Sequence, residues 1–483
     1  MRHLLRVSLI ALAVSAGMAG PVHADPLEKA LAAYDREDYG TAMRLMKPLA
    51  EDDDPAAQSK IGAMYRDGLG VKQDYVEAIK WFRKAADQGE LRALRALGYM
   101  YENGFGVPQS YTEAVAWYRQ AADQGDDGGQ NNLGNLYLNG QGVQQDYAEA
   151  LKWYRKAADQ GSASAESNIG RLYRDGKGVP QAYAEAVKWF RKAADQGNAS
   201  AQVGLGYMYQ NGQGVPQDYA EAVKWYRKAA DQGNDNGLFN LGLMYDNGLG
   251  VRMDMTEAER LFRKAADQGH DRAQDNLGRM YYNGDGVTQD YAEAIKWYRK
   301  SADQGYAKAQ GGLGIAYQNG KGVAQDYAEA VKWYRKAADQ GYILGQFNLA
   351  LMYKDGLGVP HNTAEAIKWY RKAADQGSSE AQNNLGSMYF RGDGVPVDLK
   401  EALRLYRKSA EQGNKDAQNN LGELYRLGRG VPTDYVQAYL WYTLSSMQGH
   451  GYAADQLSDM AELMSPEQIT EARNLVRDWV PKS

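Results

Sequence analysis

The stretch DYAEAVKWYRKAADQG stands twice in the chain, at Asp218–Gly233 and again at Asp326–Gly341. Tyr219, Ala222, Trp225, Tyr226 and Ala229 fall at helical spacing and form one apolar stripe, while Glu221 and Lys224 lie outside it on the solvated side. Asp218 stands where an N-cap belongs, Glu221 three residues on would reach back as a capping box, and Gly233 supplies the helix stop. The words therefore spell one capped amphipathic helix. Such a helix buries its apolar face only against neighbours, which explains why a chain repeats it.

The two copies belong to a longer series. Trp81, Trp117, Trp153, Trp189, Trp225, Leu261, Trp297, Trp333, Trp369, Leu405 and Trp441 follow one another at steps of 36 without a slip. Leu45 keeps the same phase ahead of them. The period predicts eleven units over residues 55–450, each of two helices, with residues 25–54 and 451–483 as capping helices. The first helix of a unit is typified by AQVGLGYMYQNG, where Leu205, Met208 and Tyr209 share a face and Gly212 ends the helix. Gly62 recurs as Gly98, Gly134, Gly170, Gly206, Gly242, Gly278, Gly314, Gly386 and Gly422, with Ala350 as the exception. A glycine inside a helix costs about 1 kcal/mol against alanine. Its recurrence predicts that an aromatic neighbour, the tryptophan, needs the space.

Met1–Asp25 has the layout of a secretory signal peptide: Arg2 and Arg6, an apolar run from Val7 to about Val14, and Val22-His23-Ala24. Residues 1–24 are expected to be removed near Ala24, giving a periplasmic or secreted protein. The new first residue, Asp25, is not a cysteine, so the product would not be a lipoprotein, and no other stretch is apolar enough for a transmembrane segment. The net charge of −5 argues against nucleic acid as a partner. Cysteine is absent, which removes disulfides, thiol nucleophiles and cysteine metal sites together.

The unit A-x-x-x-L-G-x-M-Y-x-x-G-x-G-V-x-x-D-Y-x-E-A-x-x-W-Y-x-K-A-A-x-Q-G resembles the Sel-one-like repeat family, a branch of the tetratricopeptide superfamily. The resemblance covers nearly all of the chain after residue 24. It implies an all-α fold, a right-handed solenoid superhelix whose first helices line the concave side, used as a scaffold for protein or peptide partners. Exported relatives include host-interaction proteins, envelope scaffolds and immunity proteins that neutralise secreted lipase toxins.

No motif carries chemistry of its own. The recurrent GxGV lacks a third glycine and follows a helix, so it reads as loop geometry rather than a phosphate cradle. His270, His361 and His450 lie one per unit, and Glu51–Pro55 (EDDDP) lacks the alternating ligands of a calcium loop. Neither Ser-x-x-Lys nor Gly-x-Ser-x-Gly occurs, and the recurrent Glu149, Glu185 and Glu221 are accounted for by helix starts. No enzyme activity, cofactor or metal is expected. The tyrosines at Tyr65, Tyr101, Tyr137, Tyr173, Tyr209 and Tyr245 keep a fixed phase, which favours packing over a sugar-binding track.

The units differ most at the phases of Ala56, Ser59, Ala63 and Arg66, whose spacing of three, four and three puts them on one helical face. That face reads Arg92, Arg95, Tyr99 and Glu102 in the second unit, and Gly128, Asn131, Asn135 and Leu138 in the third. It turns more apolar at Val203 and Tyr207, Phe239 and Leu243, Arg279 and Tyr282, Ile315, and Leu344, Phe347 and Leu351. These ten residues are the candidate partner site, centred on units five to nine; the competing reading packs them against the next unit. A non-catalytic adaptor is the function this predicts, with an inhibitor of a secreted toxin as the alternative and a hydrolase or β-lactam-binding activity third. Leu261 and Leu405 lose the tryptophan together with the opening tyrosine, which becomes Met255 and Leu399.

Overall fold

The computed structural model describes residues 25–482. The signal-peptide reading of residues 1–24 lies outside them. Among the described residues there are 26 helices and no strand. Each repeat comprises a first helix, A, followed by a second, B, as in Pro55–Asp67 and Tyr75–Asp87, both of 13 residues. The chain forms two compact units, one ending at Gln217 and the other beginning at Asp218, inside the fifth repeat. Within each unit, consecutive helices of the repeats stack on one another.

The local signals act as the sequence predicts, with one correction. Asp218 caps its B helix by accepting from the Glu221 N–H at 2.9 Å, and Asp74 and Asp326 do the same in their repeats. The glutamate does not close a box. It pairs instead with the lysine one turn on, Lys152–Glu149 at 3.1 Å, Lys224–Glu221 at 3.1 Å and Lys332–Glu329 at 2.7 Å. With its first turn already capped by aspartate, the helix leaves the glutamate free for an i,i+3 cation. A reciprocal box does form at the C-terminal end, where Ser465 and Gln468 exchange bonds of 2.9 and 3.3 Å. The A helix ends at a left-handed glycine, Gly212 at φ 64°. The second glycine of GxGV has a different job: a Cβ on Gly106 would lie 2.7 Å from the Tyr75 carbonyl carbon, so the loop rests directly on the start of the preceding B helix.

The in-helix glycine faces a different aromatic from the one expected. A Cβ on Gly62 would stand 2.7 Å from the Phe82 ring, and one on Gly134 would stand 2.6 Å from Tyr154. The ring that needs the space is the residue after the tryptophan, deep inside its own repeat. Adjacent residues on a helix point about 100° apart, so the tryptophan faces another way. Trp153 lies with Tyr101, Val115 and Tyr118 of the preceding repeat, and Trp333 with Ile295 and Tyr298 of its predecessor. Leu405 occupies the corresponding seat against Ile367 and Tyr370. The tryptophan thus joins repeats, and the tyrosine or phenylalanine closes one.

Two polar ladders reinforce the joints. In repeats 1 to 10 a B-helix arginine donates to a tyrosine hydroxyl on the next A helix, 18 residues on, as in Arg83 to Tyr101 at 2.6 Å, Arg155 to Tyr173 at 2.9 Å, Arg299 to Tyr317 at 2.5 Å and Arg407 to Tyr425 at 2.8 Å; the eleventh carries Thr443 there. The fixed-phase tyrosines are therefore struts. Below them, Gln340 donates to Gln310 at 2.8 Å and Gln412 to Gln382 at 2.8 Å, while Gln310 and Gln382 themselves satisfy B-helix carbonyls. Buried amides paired at both ends add little net stability, but each is expensive to orphan.

At the N-terminal end, Pro26–Asp35 and Tyr39–Glu51 bury Ala30, Ala33 and Met46 against Ile61 and Met64 of the first repeat. At the other end, Pro466–Asp478 brings Val476 and Trp479 onto the last B helix, with the Trp479 ring 6.5 Å from Trp441.

Candidate functional site

The variable phases of the A helices sort into buried, braced and open residues. Phe239 is only 8% exposed, its ring 4.5 Å from His270 and 5.8 Å from Phe262. It is a core residue rather than a surface one because its phase turns inward: Ser59, Ser167, Asp275, Asn383 and Asn419, at the same phase, are buried too. Ile315, Phe347 and Leu351 are half-buried and pack on the cluster around Ala350, Met352 and Tyr370. Val203 and Leu243 are half-buried as well. Tyr282 meets Tyr291 edge-on at 5.1 Å, and Arg279 is held between Asp285 at 2.9 Å and Asp246 at 3.3 Å. Open to solvent are Tyr207, 41% exposed, and Leu344, 39% exposed. Val203 and Tyr207 belong to the compact unit that ends at Gln217, and the other eight to the one that begins at Asp218.

Sequence reasoning missed three residues of this face. Tyr306 and Tyr342 stand at the N-cap positions of the A helices Ala307–Asn319 and Ile343–Asp355, and neither makes a side-chain cap bond. The corresponding Asn234 and Asn414 do cap, at 2.8 and 3.0 Å. A missing cap costs about 1 kcal/mol, so two successive aromatics there mark a face spent on something other than helix stability. Ile343, the third, is 37% exposed beside Leu344. The signal was present in the sequence: the same position carries Asp, Glu, Ser, Asn or His in the other repeats.

Two titratable groups near the junction of repeats 6 and 7 are unusual. Asp275 occupies a variable phase and is buried; burial pushes its carboxyl up to about 6, although the Lys308 ammonium stands 3.6 Å away. Burial also lowers the His270 imidazole below its ordinary value. Its Nδ1 accepts from the Ala273 N–H at 3.2 Å, so His270 serves as an N-cap. His450 caps in the same way at 3.3 Å, and His361 lies 2.7 Å from the Lys354 carbonyl where other repeats place a glutamine. Among the described residues no group of three or more His, Asp or Glu side chains is arranged to hold a metal ion. No helix there is long and apolar enough to cross a membrane.

The Sel1 repeat model matches eleven segments of the chain, at 55–90, 91–126, 128–162, 163–198, 199–234, 236–270, 271–306, 307–342, 343–378, 379–414 and 415–450. The chain belongs to the Sel1 repeat family. Its repeats agree in register with the helix pairs described above. Among solved structures it is similar to c5321, a protective antigen present in uropathogenic Escherichia coli strains and displaying an SLR fold: 39% identity over 90% of this chain and 94% of that one, TM-score 0.68. A Sel1 repeat protein from Oxalobacter formigenes is 35% identical over 50% of this chain and 97% of its own, TM-score 0.47. An immunity protein from Pseudomonas aeruginosa is 21% identical over 44% of this chain and 81% of that one, with a TM-score of 0.32. No curated protein matches the chain. Sel1 repeats are protein-interaction scaffolds, and the family is typically non-catalytic.

Proposed function

We propose that the protein is a non-catalytic adaptor, exported from the cytoplasm, that holds a protein partner on the A-helix face of repeats 8 and 9. One observation carries this reading. The A helix Ile343–Asp355 is apolar on its outward side as well as its inward one, presenting Ile343 and Leu344 beside half-buried Tyr342, Phe347 and Leu351. Isolated exposed apolar residues are ordinary, but a contiguous group on one helix start is characteristic of an interface.

The test uses Ile343→Glu with Leu344→Glu, which alters exposed positions and leaves buried Phe239 and half-buried Phe347 unchanged. A partner captured from the producing cells, identified and repurified, should bind the unaltered protein and lose about 2 kcal/mol or more of affinity with the double variant. Equal affinity for a variant with an unchanged helical spectrum would remove the face assignment. Export is tested separately, by fractionating cells that make the chain with and without residues 1–24.

A further inference from the structure

The first two repeats hold a trough of about 950 Å³ between their A helices, Pro55–Asp67 and Leu91–Asn103, with Asn132 of the next A helix at its edge. Lys60, Arg66, Arg92 and Arg95 line it, in a chain whose overall charge is −5. What distinguishes these four cations is where the nearby carboxylates are committed. Asp67 forks onto Arg66 at 2.7 and 2.8 Å, and Asp126 holds Arg95 at 3.0 Å. Glu90 caps its helix through the Ala93 N–H at 2.6 Å, and Glu102 accepts from the Tyr118 hydroxyl at 2.7 Å. Lys60 and Arg92 are left with no carboxylate within ion-pair distance among the described residues.

The arrangement opposes its own charge. Lys60 is half-buried with its ammonium 3.6 Å from the centre of the Tyr34 ring. Burial, and after it the Arg92 guanidinium, lowers its pKa, against a weaker opposing pull from the Asp35 carboxylate, which forms no ion pair with it. An anion between the two cations would relieve that repulsion. The wall beside them is aromatic: Tyr99 is 42% exposed, its ring 5.8 Å from Phe105, which in turn stacks on Tyr75 at 4.9 Å.

We infer that this trough binds an extended acidic peptide segment, with one carboxylate on Lys60, a second on Arg92, and the intervening residue against Tyr99. Neighbouring packed helices stand about 8–10 Å apart, and an extended chain rises about 3.3 Å per residue, so the two acids belong two or three positions apart. A nucleic-acid backbone fits less well. It needs a track of several free cations, and here Arg66 and Arg95 are already neutralised. The trough lies in the other compact unit from Ile343 and Leu344, so it does not depend on the adaptor face proposed above.

Fluorescein-labelled peptides with two glutamates separated by one, two or three alanines are titrated into the full mature chain at low and high salt. Alongside them run their Gln counterparts and a short oligothymidylate. At least one glutamate peptide should bind, about tenfold or more tighter than its Gln counterpart, and lose most of that affinity in high salt. Lys60→Gln with Arg92→Gln should remove the difference; Lys296→Gln on a distant B helix, and Ile343→Glu with Leu344→Glu, should leave it intact. Failure of every glutamate peptide to bind, equal binding of the Gln peptides, an unaffected Lys60/Arg92 variant with a native helical spectrum, or tighter binding of the oligothymidylate would each overturn the inference.

Discussion

The A helices of repeats 1 and 2 and the A helix of repeat 9 share a frame and differ in finish. Both ends of the comparison keep the left-handed glycine stop, at Gly68, Gly104 and Gly356, and a small residue under the inner ring, at Gly62, Gly98 and Ala350. On the outward side the first pair carries Lys60 and Arg92, while the ninth carries Ile343 and Leu344. The repeat therefore separates two sets of positions. One set is spent on neighbours and is constant, and the other is free to take the chemistry of a partner.

The largest effect is expected from breaking the frame. Gly134→Val should destabilise the chain by about 3 kcal/mol, because its new side chain meets the ring of Tyr154, which is fully buried and donates to Asn135 at 2.7 Å. Thermal or denaturant unfolding measures this. A face substitution such as Leu344→Ser should cost less than about 0.5 kcal/mol. If the two losses were equal, the division between frame and face would fail.

That division also marks how far the sequence could be read. The period of 36 and the N-cap and glycine signals were enough for the helix pairs, because each depends on residues close together in the chain. Which ring occupies the glycine gap was not legible: Trp81 and Phe82 are adjacent letters, and only the angle between them around the helix sends one backward and the other inward. Phe239 was misread for a related reason: its phase turns inward, as the burial of Ser59, Ser167 and Asp275 there shows, and variability between repeats does not give that direction. The basic trough was hidden more deeply. Lys60 lies one residue outside the variable phases, and its lack of a partner follows from where Asp67 and Glu90 spend their carboxylates.

Asp275 stands at the same inward-turned phase as Phe239 and is 2% exposed. Its carboxyl is raised from 3.8 to about 6, so between those values the folded repeat holds a proton that the unfolded chain has released. Stability conferred by this group is accordingly highest at acid pH and falls as pH rises through that window. Asp275→Asn should therefore stabilise repeat 7 at pH 7 by about 1–3 kcal/mol and change little near pH 3. Hydrogen exchange of the helix Asp271–Asn283 at the two pH values reads the effect locally. His270 has the opposite sign: its lowered pKa favours the folded state when the ring is neutral, and that contribution is lost as pH falls through the folded value. A gain from Asp275→Asn that persisted at pH 3 would assign the effect to packing instead of charge.

A smaller effect separates the two uses of an A-helix start. Tyr342→Asn would restore the cap that Asn234 and Asn414 make, and should stabilise the helix Ile343–Asp355 by about 0.5–1 kcal/mol. The same change removes an aromatic from beside Ile343 and Leu344, its ring now lying over Gly311, where an added Cβ would come within 2.8 Å of it. If the tyrosine is kept for a partner, the variant gains stability and loses affinity. If it is kept for its seat on Gly311, the gain in the cap is offset by the lost packing and affinity is unchanged. Measuring unfolding and partner binding on the same variant distinguishes the two, because only an interface residue makes a more stable protein a weaker binder.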